Sequence, residues 1–211
     1  MAGALSLDDV KARLIAACQA IVDNQDRLTK ADQAIGDGDH GVGMARGFRA
    51  AREALETKPA ATVGELFKNA GMAVLMKSGG ASGAVFGTFL TGMGKALPGS
   101  TLDASSYVEA LRQALAAVQT RGGAKPGAKT MIDALVPAIA AAASAQEIEG
   151  ALLLAGEGAL AGVEATKGMI ATTGKAKALG ERSLGHPDPG AISLSLILGA
   201  FSPRSAAPAR P

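Results

Sequence analysis

The chain has 211 residues, of which 48% are hydrophobic and only 3% aromatic, and its formal net charge is +2. The charges are interspersed and form no basic stripe with aromatic residues, so the composition excludes nucleic acid as a partner. The longest apolar runs, at residues 134–145 and 192–201, are too short to span a bilayer, and no signal peptide is visible at the start. We therefore expect a soluble, cytoplasmic protein with no membrane partner.

The helical spacing of apolar residues predicts eight helices and no strand. A core of alanine, leucine, valine and methionine suits packed helices, whereas sheets favour β-branched and aromatic residues. The predicted helices run from 6 to the acidic loop near 31, 41 to 58, 62 to 77, 83 to 98, 105 to 120, 129 to about 143, 145 to 166 and 190 to 201. No linker divides them, so we expect one domain over residues 6–201 and a frayed tail at 202–211.

The connections between the predicted helices are mostly short, so consecutive helices should be antiparallel neighbours. This predicts an all-α fold, an up-and-down barrel or bundle. Every second connection then lies at the same end, and these are the four unusual loops, at residues 31–41, 78–83, 121–128 and 172–190. The remaining connections are plain turns. The clustering of glycine, acidic and basic residues at one end therefore indicates a functional site there.

Three aspartates lie close together in the first unusual loop. Asp37 and Asp39 flank a glycine, so both carboxylates can point the same way, and Asp32 can reach the same point from the preceding helix. Three hard oxygen donors suit Mg²⁺ or Ca²⁺ rather than zinc. An EF-hand would need Glu at its twelfth position, where the chain has Gly43 or Phe48, so that loop type is excluded. A polar loop that only caps two helices remains the alternative.

Two further segments, 79–83 and 125–131, each open a predicted helix. Exposed backbone N–H groups and the positive end of the helix dipole suit such a start to anions, and the Ser82 hydroxyl is a further donor. Lys129 or Thr130 can touch a phosphate or a ribose. The alternatives are an ordinary turn with Ser82 as N-cap, and a capping Thr130 beside a solvated Lys129. Together with the aspartates, these loops favour a nucleotide diphosphate held through Mg²⁺, as phosphoryl transfer requires.

Short motifs carry a family resemblance, in an order and spacing that cover about residues 6–201. They are IGDGDHG at 35–41, GGASG at 79–83, KPG at 125–127, KTM at 129–131, LGERS at 179–183, GH at 185–186 and DPG at 188–190. With these motifs the chain resembles the L subunit of dihydroxyacetone kinase. The resemblance implies an eight-helix antiparallel barrel that holds ADP or ATP at one end.

The resemblance also implies the site residues. Asp32, Asp37 and Asp39 match the aspartates that hold two Mg²⁺ ions bridging the nucleotide phosphates, and no catalytic residue is assigned beyond them. The implied nucleotide contacts are His40, Gly41, Val42, Gly43, Ala81, Ser82, Gly122, Thr130, Met131, Lys175, Asp188, Pro189 and Gly190.

Three positions depart from the family's pattern. Lys175 stands where arginine is expected, Gly43 where asparagine is familiar and Ala178 where tyrosine is familiar. A lysine lacks the bidentate phosphate geometry of arginine. These departures bear on nucleotide binding and on the sugar that the enzyme accepts, since related kinases act on four-carbon ketoses such as erythrulose.

The implied function is that of a kinase subunit, inactive alone, which presents Mg-ADP or Mg-ATP to a ketose bound on a separate K subunit. Two phosphodonors remain open. In some family members a phosphotransferase-system protein rephosphorylates a resident nucleotide, and in others ATP is consumed. A homodimer is a further expectation. The alternative function is a binding module that senses nucleotide and docks on a transcription regulator, as some family members do.

Overall fold

Helices dominate the structure, a computed structural model that describes residues 3–202. The α-helices are α1 Leu7–Asp23, α2 Gln25–Ile35, α3 His40–Thr57, α4 Val63–Lys77, α5 Gly80–Lys95, α6 Ala104–Gly122, α7 Ile132–Ala142, α8 Ile148–Thr166 and α9 Pro189–Phe201. A 3-10 helix, Lys175–Ser183, lies between α8 and α9. Within the described range there is no strand, only an isolated antiparallel bridge between Leu5 and Leu102.

The helices form a closed ring. Consecutive helices from α3 to α9 pack against each other, and α1 packs on both α3 and α9. A continuous apolar core contains side chains from Leu5 to Phe201, among them the buried Cys18. The predicted all-α fold is confirmed.

None of the described helices combines the length and apolar character that a membrane crossing requires. The tail predicted at 202–211 lies outside the described residues except for Ser202.

Side-chain caps explain where several helices begin. Ser6 Oγ accepts a hydrogen bond from the Asp9 backbone N–H at 3.2 Å, and the Asp9 carboxylate accepts one from the Ser6 N–H in return. Thr62 Oγ1 accepts from the Glu65 N–H at 3.1 Å at the start of α4. Each cap satisfies a backbone donor that has no partner within its helix. The starts predicted at residues 6 and 62 therefore agree with the structure.

The first predicted helix is divided in two at Asn24. The side-chain amide of Asn24 donates to the Ala20 carbonyl at 2.9 Å, and the backbone N–H of Asn24 donates to the same oxygen. Asparagine competes in this way with regular helical hydrogen bonding, so the chain turns and α2 continues to the acidic loop. The segment predicted as irregular, residues 172–190, contains the 3-10 helix.

Glycine allows α7 and α8 to pack with their backbones in contact. A Cβ on Gly162 would lie 2.4 Å from the Asp133 carbonyl oxygen and 2.5 Å from the Ala134 Cα. A Cβ on Gly158 would lie 2.6 Å from the Pro137 carbonyl oxygen. These distances are shorter than van der Waals contact, and the opposing atoms belong to the backbone of α7. The α7 backbone can therefore lie this close to α8 only while both positions are glycine.

We predict that Gly162→Ala destabilises the fold by about 1–3 kcal/mol, because the added methyl group pushes α7 away from α8. Gly150→Ala on the same helix is the matched control. Its Cβ would meet only the Ala145 side chain at 3.4 Å, so it should be neutral or should stabilise by up to about 1 kcal/mol through helix propensity. Urea unfolding measures both. Equal stability of the two variants would contradict the close α7–α8 packing.

Candidate functional site

A cavity of about 300 Å³ opens at the end of the ring where the connections α2–α3, α4–α5, α6–α7 and α8–α9 lie. The cavity lining includes twelve of the residues predicted for the site. They are Asp32, Asp37, Asp39, His40, Ala81, Ser82, Thr130, Met131, Lys175, Asp188, Pro189 and Gly190. The structure thus brings these loops together as their alternation along the chain predicted. The loop at 121–128 does not line the cavity, but the residues directly after it do.

Four predicted contacts do not line this cavity, namely Gly41, Val42, Gly43 and Gly122. Gly41 faces α2 instead, since a Cβ there would lie 2.3 Å from the Gln25 carbonyl oxygen and from Thr29 Oγ1. Val42 is half exposed, and Gly122 lies in the last turn of α6 with no atom near its absent Cβ. A packing requirement explains the glycine at position 41. The assignment of all four residues to a nucleotide stays a prediction.

The three aspartates converge at the mouth of the cavity. Each offers a carboxylate oxygen, and these oxygens lie within 4.8 Å of one another. Asp32 stands in the last turn of α2, where its Oδ2 accepts from the His40 backbone N–H at 3.1 Å. Glycine at position 36 lets the chain fold back over the Asp32 side chain, because a Cβ at this position would lie only 2.2 Å from Asp32 Oδ1. The local backbone therefore holds three negative charges together.

Lys175 neutralises part of this charge. Its ammonium forms ion pairs with the Asp37 carboxylate and, at 3.2 Å, with Asp39 Oδ2. The hydrogen bond from Lys175 lowers the pKa of Asp37. The hydrogen bonds to Asp37, the larger effect, and to Asp39 raise the pKa of Lys175. The sequence predicted Lys175 as a phosphate contact. In the structure it lines the same cavity but bonds to carboxylates.

His40 connects three helices beneath the cavity. Its Nδ1 lies 2.8 Å from the Ser82 hydroxyl on α5, and its Nε2 lies 2.8 Å from the Ser193 hydroxyl on α9. Its side chain is buried, and this burial lowers the pKa of His40, so the imidazole is neutral at neutral pH. A neutral ring donates from one nitrogen and accepts at the other, so both serines can be satisfied. Ser193 was not predicted for the site, because in the sequence it is an ordinary residue of the last helix.

Lys129 is buried, so it is not the solvated lysine of one sequence interpretation. Its Nζ donates to the Thr166 carbonyl at 2.5 Å and the His186 carbonyl at 2.6 Å, which engages two of its three N–H groups, and the residue also lines the cavity. Asp133 holds the same loop, since its carboxylate accepts from the N–H groups of Gly127 at 2.5 Å and Thr130 at 2.8 Å. Lys129 therefore fastens the start of α7 to the end of α8 and to the loop before α9.

Asp188 caps α9 at the inner wall of the cavity. Its Oδ2 accepts from the Ala191 N–H at 2.7 Å, and its own N–H donates to Thr166 Oγ1 at 2.9 Å. Burial raises the pKa of Asp188 to about 7, against the opposing effects of the Ala191 N–H and the Lys129 ammonium. Ile35, Val85 and Phe86 also line the cavity and give it an apolar surface.

Comparison with known proteins identifies the family. A sequence profile of the DAK2 domain matches residues 34–203. The chain is 39% identical, over 87% of its length and 89% of the relative's, to the ADP-binding subunit DhaL of PEP-dependent dihydroxyacetone kinase 1 from Listeria innocua. It is 38% identical, over 81% of its length and 84% of the relative's, to the corresponding DhaL subunit of Escherichia coli.

A solved structure agrees with these relatives. The dihydroxyacetone kinase of C. freundii superposes with a TM-score of 0.72 at 30% identity, covering 93% of this chain and 34% of that one. This chain therefore spans about a third of the length of that kinase. The chain belongs to the DAK2 domain family, among the L subunits of dihydroxyacetone kinases. The resemblance drawn from the motifs is confirmed.

We predict that Asp188 makes stability depend on pH. Because the folded protein favours the protonated carboxyl, the stability that Asp188 contributes is fully present below its unfolded pKa of about 4 and is lost as the pH rises through about 7. Asp188→Asn keeps an acceptor for the Ala191 N–H but cannot ionise. Urea unfolding between pH 5 and pH 8 should show this variant gaining stability relative to wild type as the pH rises.

The control for this experiment is Asp26→Asn, which changes an exposed acid in the first turn of α2. It should follow the wild-type profile across the same range. Parallel profiles for wild type and Asp188→Asn would contradict the raised pKa.

Proposed function

We propose that this chain is the nucleotide-binding subunit of a dihydroxyacetone or related ketose kinase. It presents Mg-ADP or Mg-ATP for phosphoryl transfer to a ketose that a separate K subunit holds. The observation that carries the proposal is the convergence of three carboxylates at the mouth of a cavity whose walls include the starts of two helices, α5 and α9. The relatives from Listeria innocua and Escherichia coli are named ADP-binding subunits, which supports the same ligand.

The residues at the mouth fit Mg²⁺. Hard oxygen donors are what this ion prefers, and a site with few carboxylates leaves positions for phosphate oxygens and water. The site also accepts positive charge, since an ammonium already lies against Asp37 and Asp39. Asp32, Asp37 and Asp39 would hold the ion, or the two ions that the family resemblance implies. When bound, Mg²⁺ neutralises charge on the phosphates during transfer. A solved relative from C. freundii is a complex with AMP-PNP and Mg²⁺.

The start of α5 is suited to the phosphates. Gly79 and Gly80 have φ values of 73° and 61°, in the left-handed region that glycine tolerates. No atom lies within 4 Å of the Cβ position at Gly80, so this backbone is open to a ligand. The first N–H groups of a helix have no partner within it, and the helix dipole adds positive potential. Ala81 and Ser82 would therefore bind the phosphates through backbone N–H groups.

The start of α9 is suited to the nucleoside. Met131 lies close to Gly190, since a Cβ at Gly190 would be 3.6 Å from the Met131 Cβ. Pro189 adds an apolar surface with no N–H group, and Asp188 and Thr130 provide polar atoms beside it. These residues line the same cavity as the three carboxylates. We assign the base and ribose to these residues.

The ketose requires a partner. The family holds its ketose through a covalent bond to a histidine of the K subunit, as the resemblance implies. This chain has two histidines. Both ring nitrogens of His40 are within hydrogen-bond distance of serines, and His186 lies in the loop before α9 that Lys129 fastens. Relatives such as the L-erythrulose kinase of Pectobacterium atrosepticum are longer, with this chain covering 34% of that protein. The part of such a relative outside this match is long enough to contain the domain that binds the ketose.

The metal assignment predicts that Asp37→Asn abolishes Mg²⁺-dependent ADP binding, because the variant loses a charged ligand while the helices remain folded. Calorimetric titration of ADP with Mg²⁺ or with chelator measures the effect. Bound ligand should also raise the melting temperature of wild type only. Asp26→Asn is the control and should bind ADP as wild type does. Equal ADP affinity of Asp37→Asn and wild type, with and without chelator, would remove the assignment.

The partner assignment predicts no phosphorylation of dihydroxyacetone by the isolated chain with Mg-ATP. Addition of a K subunit from the same source should produce dihydroxyacetone phosphate, with ATP or with a phosphotransferase-system donor, because the partner supplies the acceptor and excludes water from the phosphoryl group. A coupled enzyme assay for dihydroxyacetone phosphate, run on both samples, tests this prediction. Robust turnover by the homogeneous chain would refute the subunit assignment and would require an acceptor site within it.

A further inference from the structure

Lys175 places a positive charge against the cluster of aspartates. Its ammonium pairs with Asp37 and Asp39, two of the three carboxylates that converge at the cavity mouth. The pairing links residues 138 positions apart in the chain, so it is a tertiary contact and not a feature of the local loop. Lys175 therefore acts as a counter-ion of the acidic cluster.

A divalent cation and this ammonium compete for the same carboxylates. Both are positive, and at separations of a few ångströms they repel each other even near a protein surface. Both also draw on the oxygens of Asp37 and Asp39. Binding of the cation therefore favours displacement of Lys175 from Asp37 and Asp39.

The displaced ammonium has a second place to go. Lys175 lines the same cavity as the start of α5, where the phosphates of a nucleotide would lie. Its side chain has a flexible four-carbon stem and three rotatable donors, so the ammonium can reorient within the cavity from carboxylate to phosphate oxygens. We propose that Lys175 couples the two ligands: it competes with the divalent cation for Asp37 and Asp39, and it binds the nucleotide phosphates once displaced.

The segment that carries Lys175 is held in place without it. The Thr172 N–H donates to the Ala128 carbonyl at 3.3 Å, and the Ala171 N–H donates to the Ser183 hydroxyl at 3.0 Å. The Ser183 hydroxyl in turn donates to the Gly180 carbonyl at 2.7 Å. A substitution at position 175 thus removes a charge and leaves these anchors in place. Its effect on binding can be measured without loss of the fold.

Replacement of the ammonium by a cation costs little free energy because the ion pairs of Lys175 are exposed. The Lys175 side chain is 62% exposed, and the Asp37 and Asp39 side chains are 49% and 70% exposed. Pairs of this kind are weak and screened by salt, so a divalent cation can replace the ammonium. We expect removal of the ammonium to tighten cation binding by roughly 2- to 10-fold at low salt, the range that two weak exposed pairs allow.

The experiment uses the full chain and two titrations with opposite expected results. Free Mn²⁺, counted by electron paramagnetic resonance, reports cation binding without nucleotide. Lys175→Ala should bind Mn²⁺ about 2- to 10-fold more tightly than wild type, and this gain should shrink as salt increases. Calorimetry at saturating Mg²⁺ should show ADP bound about tenfold more weakly by the variant, because a charged phosphate contact is lost. A general structural defect would weaken both ligands.

Two further variants complete the test. Lys177→Ala removes an exposed lysine of the same 3-10 helix and should change neither titration. Lys175→Arg keeps the charge and should retain both the competition and the phosphate contact. Both halves of the inference rest on the metal site of the proposed function, and the phosphate half rests on its nucleotide as well.

The outcomes separate the two proposals. Equal Mn²⁺ affinity in wild type and Lys175→Ala, with ADP bound by both, would overturn the competition and leave the proposed function in place. Tighter Mn²⁺ binding with unchanged ADP affinity would overturn the coupling. Failure of wild type to bind either Mn²⁺ or ADP would overturn the proposed function and the coupling together.

Discussion

The repulsion among three clustered carboxylates is the constraint on which this end of the molecule depends. Asp32, Asp37 and Asp39 lie within reach of one ion, and like charges at that spacing are unfavourable unless positive potential is near. The fold provides such potential from two sources. They are the ammonium of Lys175 and the N-terminal end of α3, which begins at His40 and whose first N–H donates to Asp32. The cation proposed for this site would reduce the repulsion further.

The two sides of the cavity differ in how they are held. Beneath the glycine-rich turn, His40 and Lys129 are buried and bonded to groups from separate elements, which fixes the starts of α5, α7 and α9 relative to each other. At the mouth, Asp37, Asp39 and Lys175 are exposed and their contacts are weak. Rigid helix starts suit the unchanging parts of a nucleotide. An exposed charged mouth suits ions and phosphates that must enter and leave.

Apart from the alternation of the loops, what the sequence could predict was local. Helical spacing and caps located most helices, and the acidic and glycine-rich loops indicated the candidate site because their chemistry is carried by neighbouring residues. The contacts that join distant segments could not be read in this way. Nothing in the last helix marks Ser193 as a partner of His40, and the burial of Lys129 depends on carbonyls from two other segments. Asn24 looked like one polar residue in a helix, because side-chain competition for the Ala20 carbonyl leaves no mark on apolar spacing.

The two hydrogen bonds that join Ser82, His40 and Ser193 depend on each other in their donor and acceptor roles. A neutral imidazole carries one N–H, so if one serine hydroxyl accepts a hydrogen bond from the ring, the other donates one to the unprotonated nitrogen. The role of the Ser82 hydroxyl towards the ring therefore depends on the orientation of the buried Ser193 hydroxyl on α9. The polarity of an atom at the cavity wall is in this way set from the interior of the ring of helices, by a residue that does not line the cavity.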